Sequence, residues 1–275
     1  MYHHNPTSRR IFPAELVDSV IDYNHDDPQT LVNCALVNKQ WTPSSRYHLF
    51  STVNISHTNA QEFIELLTSP HCTFLAILRG LDVHFVPGSQ RWFTEFSRRL
   101  SLLDETTITS LEISGSNNTL IRDEARLALS SFSNQVKDLS FGPILFHKFA
   151  DFAALICSFN ILESLSCVAA FQDVEQPQGL SFAGPIRHLE LSAPSIQMVL
   201  EFLHESTLPT VTSISLSHPT VGDYPAFSRY LQMPNSILQS LAMKMDVNFS
   251  GVPLSPSLLI VTFSNSGAYS ASLLM

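Results

Sequence analysis

A short pattern of apolar and polar positions recurs along most of the chain. It places apolar residues at the first, fourth and sixth positions of a six-residue segment. The segments that satisfy it are FSTVNI, LRGLDV, ITSLEI, VKDLSF, LESLSC, IRHLEL, VTSISL, LQSLAM and LLIVTF. Alternation over the last four positions is typical of a β-strand with one buried face. The pattern therefore predicts a series of similar strands.

These segments recur at a nearly constant interval. The central apolar residues of the first eight are Val53, Leu81, Leu111, Leu139, Leu165, Leu189, Ile214 and Leu241. Their separations are 28, 30, 28, 26, 24, 25 and 27 residues, and the ninth segment centres on Ile260 or Val261, depending on its register. Such a period indicates a repeat architecture, in which neighbouring units bury one another's apolar edges.

Helical patterns lie between several of the strands. Apolar residues spaced three and four apart form three stripes, at Phe93, Phe96, Leu100 and Leu103, at Phe149, Phe152, Ile156 and Phe159, and at Ile196, Val199, Leu200 and Leu203. Strand and helix in alternation predict an α/β fold, a curved solenoid of parallel strands with outer helices. A doubly wound sheet is the alternative, but no glycine-rich phosphate-binding turn follows any strand.

Two segments and the tail lack a helical pattern. Residues 172–185 and 244–257 are rich in proline, glycine and polar residues, and they are predicted to be loops. Such loops are either tolerated insertions or contact surfaces. The tail NSGAYSASLLM carries no obvious cap, which predicts a poorly covered edge at the last strand.

The repeated segments resemble leucine-rich repeats of the degenerate, longer kind. The resemblance covers roughly residues 50–265 and implies a leucine-rich-repeat-like solenoid over 51–275. The chain departs from the family where an asparagine usually follows the pattern. The residues at those positions are Ser116, Ile144, Ala170, Pro194, Pro219 and Asp246.

Before the first strand, the sequence predicts a disordered tail over 1–10 and three short helices. Pro13, Pro28 and Pro43 each suit a first helical turn, and Asp27 and Thr42 suit N-cap positions. The apolar stripes are Leu16, Val17, Val20 and Ile21 in the first helix and Leu31, Cys34, Val37 and Trp41 in the second. Only part of this apolar surface can be buried internally, which predicts a partner.

Residues 11–50 resemble an F-box. The stretch Phe12-Pro13-Ala14-Glu15-Leu16 matches its apolar-Pro-x-Glu-apolar start, and the stretch from Cys34 to Trp41 matches its later apolar-Val-x-basic-x-Trp pattern. Phe12 in place of leucine and Tyr23-Asn24 at the end of the first helix depart from the family. An F-box followed by leucine-rich-repeat-like strands is similar to the large fungal family of F-box proteins.

The resemblance implies a substrate-recognition subunit of a Skp-cullin-F-box type ubiquitin ligase. In that family the F-box docks on the Skp adaptor, and the repeats bind a protein substrate. The adaptor-binding residues it implies are Phe12, Pro13, Leu16, Val17, Val20, Ile21, Leu31, Leu36, Val37 and Trp41. The alternative is a ligase-independent leucine-rich-repeat scaffold whose N-terminal helices only cap the solenoid.

The residue after each central apolar position is predicted to point out from the other face of the strands. This column reads Asn54, Asp82, Glu112, Ser140, Ser166, Glu190, Ser215, Ala242 and Thr262. With neighbouring positions it gives the candidate substrate-binding residues Asp82, His84, Glu112, Asp138, His188 and Glu190. They would suit a basic patch on a protein. Because the column holds no Trp, Tyr or Arg, these side chains alternatively serve only solubility.

The net charge and the cysteine spacing limit the partners and the cellular compartment that the chain is expected to have. The net charge of -9 disfavours binding to a nucleic-acid backbone. The cysteines lie far apart, which suits reduced thiols packed as apolar fillers in a cytoplasmic and/or nuclear protein. No export signal or segment long enough to span a membrane is evident. The expected partners are therefore an adaptor and a protein substrate.

No motif of catalysis or metal binding accompanies these patterns. The 11 histidines form no His-Glu-x-x-His motif, the cysteines form no Cys-x-x-Cys pair, and Gly-x-Ser-x-Gly and phosphate-loop motifs are missing. The sequence therefore predicts a protein that is not an enzyme, with no metal and no cofactor. A hydrolase within a compact sheet fold is the third alternative.

Overall fold

The computed structural model describes residues 13–88, 90–100, 107–116, 118–206, 211–232, 237–245, 257–263 and 269–274. The predicted disordered tail, Phe12, Leu103 and residues 246–256 of the second predicted loop lie outside these described residues.

Three short helices open the described chain, as predicted. They are α1 (Ala14–Tyr23), α2 (Pro28–Val37) and α3 (Thr42–Ser51). The Asp27 carboxylate caps α2 by accepting the Thr30 N–H at 3.1 Å. The prediction that Thr42 caps α3 is wrong, because Thr42 is already helical and its hydroxyl donates to the Ala35 carbonyl at 3.0 Å. Pro13 precedes α1 as its N-cap residue.

The three helices, here called the N-terminal helical unit, share a small core. Val17, Ile21 and Leu31 are buried together, and the half-buried Trp41 and Leu49 pack against them. At the surface, His48 Nε2 lies 2.8 Å from Asp22 Oδ1 and joins α3 to α1. The helical unit therefore has a small hydrophobic core of its own, and α3 leads from it into the first strand.

The rest of the described chain alternates strands and helices. The strands are β1 (Thr52–Ser56), β2 (Gly80–Phe85), β3 (Ser110–Gly115), β4 (Leu120–Ile121), β5 (Asp138–Phe141), β6 (Leu145–Lys148), β7 (Ser164–Cys167), β8 (Ala170–Asp173), β9 (His188–Ser192), β10 (Ser213–Ser217), β11 (Ser240–Met245), β12 (Ser257–Phe263) and β13 (Tyr269–Leu274). The helices are α4 (Ala60–Leu67), α5 (Arg91–Leu100), α6 (Asp123–Ser130), α7 (Phe149–Ser158), α8 (Ile196–Glu205) and α9 (Tyr224–Leu231).

The strands form one large sheet and one small sheet. The large sheet has the order β1-β2-β3-β5-β7-β9-β10-β11-β12-β13, and its strands are parallel as far as β11. The small parallel sheet has the order β4-β6-β8, and the sequence analysis did not predict it. Its strands have two to four residues, too few for a visible alternation.

The predicted register of the parallel strands is confirmed. The central apolar residues lie opposite one another in neighbouring strands, as in Leu81 opposite Leu111 and Leu165 opposite Leu189. From Leu81 to Leu241 these residues are buried, and the residue two positions later in each strand is buried as well. One face of the large sheet is therefore the core, as the alternation predicts.

The prediction of a parallel ninth strand is wrong. β12 runs antiparallel to β11 and places Ile260 opposite Ala242, so that Thr262 lies opposite Ser240. The 11 residues between Met245 and Ser257 fall short of the crossover that a parallel neighbour needs, roughly a dozen or more residues. The tail predicted to leave β12 uncovered supplies β13, which pairs with it antiparallel.

A backbone ladder joins successive strands where they begin. The carbonyl of Arg79 accepts N–H groups from both Thr109 and Ser110, and the carbonyl of Thr109 accepts those of Lys137 and Asp138. The same double acceptance repeats at the carbonyls of Lys137, Glu163, Arg187 and Thr212. This ladder links the strands although the asparagine typical of leucine-rich repeats is missing.

The helices bury the predicted stripes against the sheet. Phe93, Phe96 and Leu100 are buried in the first stripe, and all members of the second and third stripes are buried. Phe152 lies at the centre of an aromatic cluster, with its ring 5.4 Å from that of Phe141 and 5.3 Å from that of Phe146. The centre of the sheet is therefore packed largely by phenylalanine.

Other sequence expectations have mixed outcomes. Beyond β8, which takes its first two residues, the predicted loop 172–185 contains no helix or strand. Cys34 and Cys167 are buried, whereas Cys72 and Cys157 are half-buried, so only two of the thiols are complete core fillers. In the part of the chain that the structure describes, no helix has the length and apolarity needed to cross a membrane.

Candidate functional site

The predicted adaptor-binding residues divide into exposed and buried groups. Pro13, Leu16, Val20, Leu36 and Val37 are exposed, with 52% of Leu16 and 80% of Leu36 accessible. The expectation that Val17 and Leu31 stay partly exposed is wrong. The structure buries Val17, Ile21 and Leu31 and half-buries Trp41. These four make the core of the helical unit, and Phe12 lies outside the described residues.

An apolar strip follows the outer side of α1, and we call it the α1 face. It consists of Leu16, Val20 and Tyr23, which line a shallow pocket of about 400 Å³ with Ser19 and Asn24. Tyr23 is 85% exposed and was not among the predicted residues. Leu16, Val20 and Tyr23 follow one another at intervals of four and then three residues, and this helical spacing is the signal that could have found Tyr23.

The second predicted surface is the open face of the large sheet. Register pairing runs from Asn54 through Asp82, Glu112, Ser140, Ser166, Glu190 and Ser215 to Ala242, so this column is confirmed up to β11. The expected last member, Thr262, is wrong, because the antiparallel β12 places Ile260 there. From β2 to β11 the alternate residues of the strands are buried, and the column therefore belongs to one solvent-facing surface.

The candidate substrate-binding residues share this face but do not form one cluster. Asp82 and Glu112 are direct neighbours, and His84 Nδ1 lies 3.2 Å from Ser114 Oγ in the next strand. Asp138 and His188 occupy one row with Ser164 between them. Glu190 lies between Ser166 and Ser215. The only adjacent acidic pair of the column is therefore Asp82 with Glu112.

The environment of this pair disfavours its charged form. Burial raises the pKa of the Asp82 carboxyl, although the positive charge available at His84 partly offsets this rise. Burial also raises the pKa of Glu112, and the negative charge of Asp82 raises it further. Asp82 Oδ1 is buried and has no hydrogen-bond partner in the described structure. When both groups are ionised, the two carboxylates therefore repel each other on the sheet.

Replacing Glu112 with glutamine is expected to raise the free energy of unfolding at pH 7 by about 0.5 kcal/mol, because like charges on adjacent strands are destabilising. Because the pKa of Glu112 is raised, folding favours its protonated form over its ionised form, relative to the unfolded chain. The wild-type penalty is therefore present above the raised pKa and disappears as the pH falls through it.

Urea denaturation at pH 7 and near pH 4 measures this difference. Glu190→Gln is the matched control, because its register neighbours are serines, and it is expected to leave stability unchanged. A pH-independent gain in Glu112→Gln, or an equal gain in Glu190→Gln, would contradict the charge repulsion.

A third concave surface lies where the helical unit meets the sheet domain, and we call it the junction groove. Its volume is about 510 Å³. The lining residues are Val32, Ala35, Leu36, Thr42, Arg46, Leu49, Phe50, Leu66, Ser69, His71, Cys72, Thr73 and Phe74. Sequence analysis missed it because its walls come from α2, α3 and the segment after α4, which no local pattern relates.

The described residues contain no cluster of metal-ligating side chains. Within them, no group of three His, Cys, Asp or Glu side chains is arranged to hold a metal ion. Comparison of the chain with known protein families and with curated proteins finds no match. The exposed surfaces of the described structure are therefore the basis for a functional proposal.

Proposed function

We propose that the chain is the substrate-recognition subunit of a Skp-cullin-F-box type ubiquitin ligase. In this proposal the N-terminal helical unit is an F-box that docks on the Skp adaptor. The strands and helices after it form a leucine-rich-repeat-like solenoid that binds a protein substrate. The chain itself performs no catalysis, and ubiquitin transfer is carried out by the partners.

The α1 face is the observation that carries the proposal. The helical unit completes its own core with Val17, Ile21 and Leu31, so its folding does not require Leu16, Val20 and Tyr23 to be apolar. Leaving two aliphatic side chains and an aromatic one in water on a single helix is typical of a surface that binds another protein. The exposed Leu36 and Val37 of α2 extend the apolar surface of the same unit.

The repeat character of the sheet supports the solenoid. Each parallel strand pairs with the strand before it at the same pattern position, with a period of 24 to 30 residues. The small sheet and the antiparallel end are departures from a regular repeat. An array of this kind presents one long face, and the acidic and serine residues on it suit a protein with a basic patch.

The alternative, a scaffold whose helices only cap the array, also has a supporting observation. The ring of Phe50 in α3 stacks on that of Phe74 at 4.6 Å, and both belong with the core of the sheet domain. The helical unit therefore covers the first strand in either case. Capping alone, however, gives no reason for an α1 face whose apolar side chains stay 42% to 85% exposed.

Co-purification with a Skp adaptor distinguishes these two functions. The full chain should be co-expressed with a tagged adaptor and analysed by affinity capture followed by size-exclusion chromatography. The ligase subunit is expected to elute in a stoichiometric complex with the adaptor. A folded chain that elutes alone at micromolar concentration would reject the proposal and favour the scaffold.

A further inference from the structure

The junction groove combines apolar walls with a single strong cation. Apolar side chains from α2, α3, α4 and the segment after α4 form most of the lining, and no acidic residue belongs to it. Arg46 is its only permanently charged residue. A concave apolar volume of several hundred Å³ with few polar groups has the character of a small-molecule site.

Arg46 is held toward this groove without a counter-charge. Its Nη2 donates a hydrogen bond to Thr73 Oγ1, and its guanidinium carbon lies 5.9 Å from the centre of the Phe50 ring. In the described part of the chain, no carboxylate lies within ion-pair distance of Arg46. A guanidinium carries five N–H donors, so most of them are left for another acceptor.

A half-buried guanidinium beside apolar walls is complementary to a molecule that has both an anionic group and an apolar part. Such a cation is stabilised when an anion shares its partly desolvated site, and a carboxylate can accept two parallel N–H bonds from it. The exposed Leu36 and Leu66 border the same groove and would be covered by an apolar body.

We propose that the junction groove is a binding site for a small amphipathic carboxylic acid. The aliphatic part of the ligand lies along the walls formed by Val32, Leu36 and Leu66, and its carboxylate accepts hydrogen bonds from Arg46. Because these walls come from both the helical unit and α4, binding holds these two parts of the chain together.

The test uses cis-parinaric acid, a fluorescent 18-carbon carboxylic acid, and the purified full-length chain. Wild type is expected to give saturable binding with one site. Arg46→Gln is expected to weaken binding about tenfold, the effect of losing one charge-assisted hydrogen bond. The matched control Arg91→Gln removes an exposed arginine outside the groove and is expected to bind like wild type.

Two measurements separate the headgroup contact from a general loss of structure. The methyl ester of the same probe, which has no carboxylate, is expected to bind more weakly and with no difference between wild type and Arg46→Gln. Ligand is also expected to slow iodoacetamide modification of Cys72 several-fold, because this thiol lines the groove. The other thiols are expected to add little background to this reaction, since Cys34 and Cys167 are buried and burial raises the pKa of Cys157 to about 11.

Three outcomes would overturn the proposal. The first is a failure of wild type to bind the acid up to its solubility limit. The second is equal binding of acid and ester, which would show that the groove binds apolar molecules without recognising the carboxylate. The third is an Arg46→Gln variant that binds the acid normally but loses Skp adaptor, which would assign the groove to a protein interface. The adaptor capture with wild type tests the proposed ligase function separately.

Discussion

Aspartate at both Leu16 and Val20 is expected to abolish capture of the Skp adaptor. Both side chains lie on the α1 face, 52% and 42% exposed, and both would be desolvated in a docked complex. Burying two carboxylates in an apolar interface without partners costs several kcal/mol, and central interface residues typically contribute about 2 kcal/mol or more each. The expected loss of affinity is therefore roughly a hundredfold or greater, measured by co-elution or by titration calorimetry.

The control introduces an aspartate at an exposed leucine elsewhere in the chain. Leu127 is 64% exposed on α6, and Leu127→Asp is expected to retain the adaptor fully. Circular dichroism of both variants should match wild type, since none of these positions is in a core. Retention of the adaptor by the Leu16→Asp, Val20→Asp double variant would move the interface away from α1.

Replacing Phe152 with alanine is expected to lower the free energy of unfolding by about 4 kcal/mol, within the range seen for large-to-small core substitutions. Its ring is fully buried and has four aromatic neighbours, Phe141, Phe146, Phe149 and Phe171, with centroids 5.3 to 5.9 Å away. Removing it leaves a cavity where the large sheet, the small sheet and α7 meet. Urea denaturation followed by circular dichroism measures the loss.

Phe171→Ala is the comparison for this substitution. Phe171 belongs to the same cluster, and its ring centroid lies 5.0 Å from that of Phe149, but the residue is only half-buried. Its loss is expected to be about half as large, because solvent replaces part of the missing contact. A larger effect at Phe171 than at Phe152 would show that the small sheet, rather than α7, anchors the cluster.

Much of the sheet was predictable because one physical rule governs each strand. The apolar positions of the hexamer face the core in every parallel strand, so Leu111 or Leu189 can be assigned without knowing any long-range contact. The same alternation placed Asp82, Glu112 and Glu190 on the open face. The prediction of this column is wrong only at Thr262, because β12 runs antiparallel to β11. The alternation of apolar and polar residues does not show the direction in which a strand runs.

The helical unit shows the limit of the same reasoning. Leu16, Val17, Val20 and Ile21 form one apolar segment in the sequence, yet Val17 and Ile21 face α3 while Leu16 and Val20 face water. An apolar stripe that is wide enough to supply both a core and an interface does not show which of its residues belong to each. Arg46 and the junction groove depend on how α2, α3 and the segment after α4 meet, and only the tertiary structure supplies that arrangement.

The carbonyl ladder has a consequence for how the chain acquires its structure. Up to β11, each strand of the large sheet is bonded only to strands of the adjacent pattern segments, and the ladder passes from Arg79 to Thr212 one segment at a time. Pairing each new strand with the one before it therefore costs only the conformational entropy of closing a loop of about one repeat period. Folding of such a stacked array can begin in any segment and extend to its neighbours in both directions.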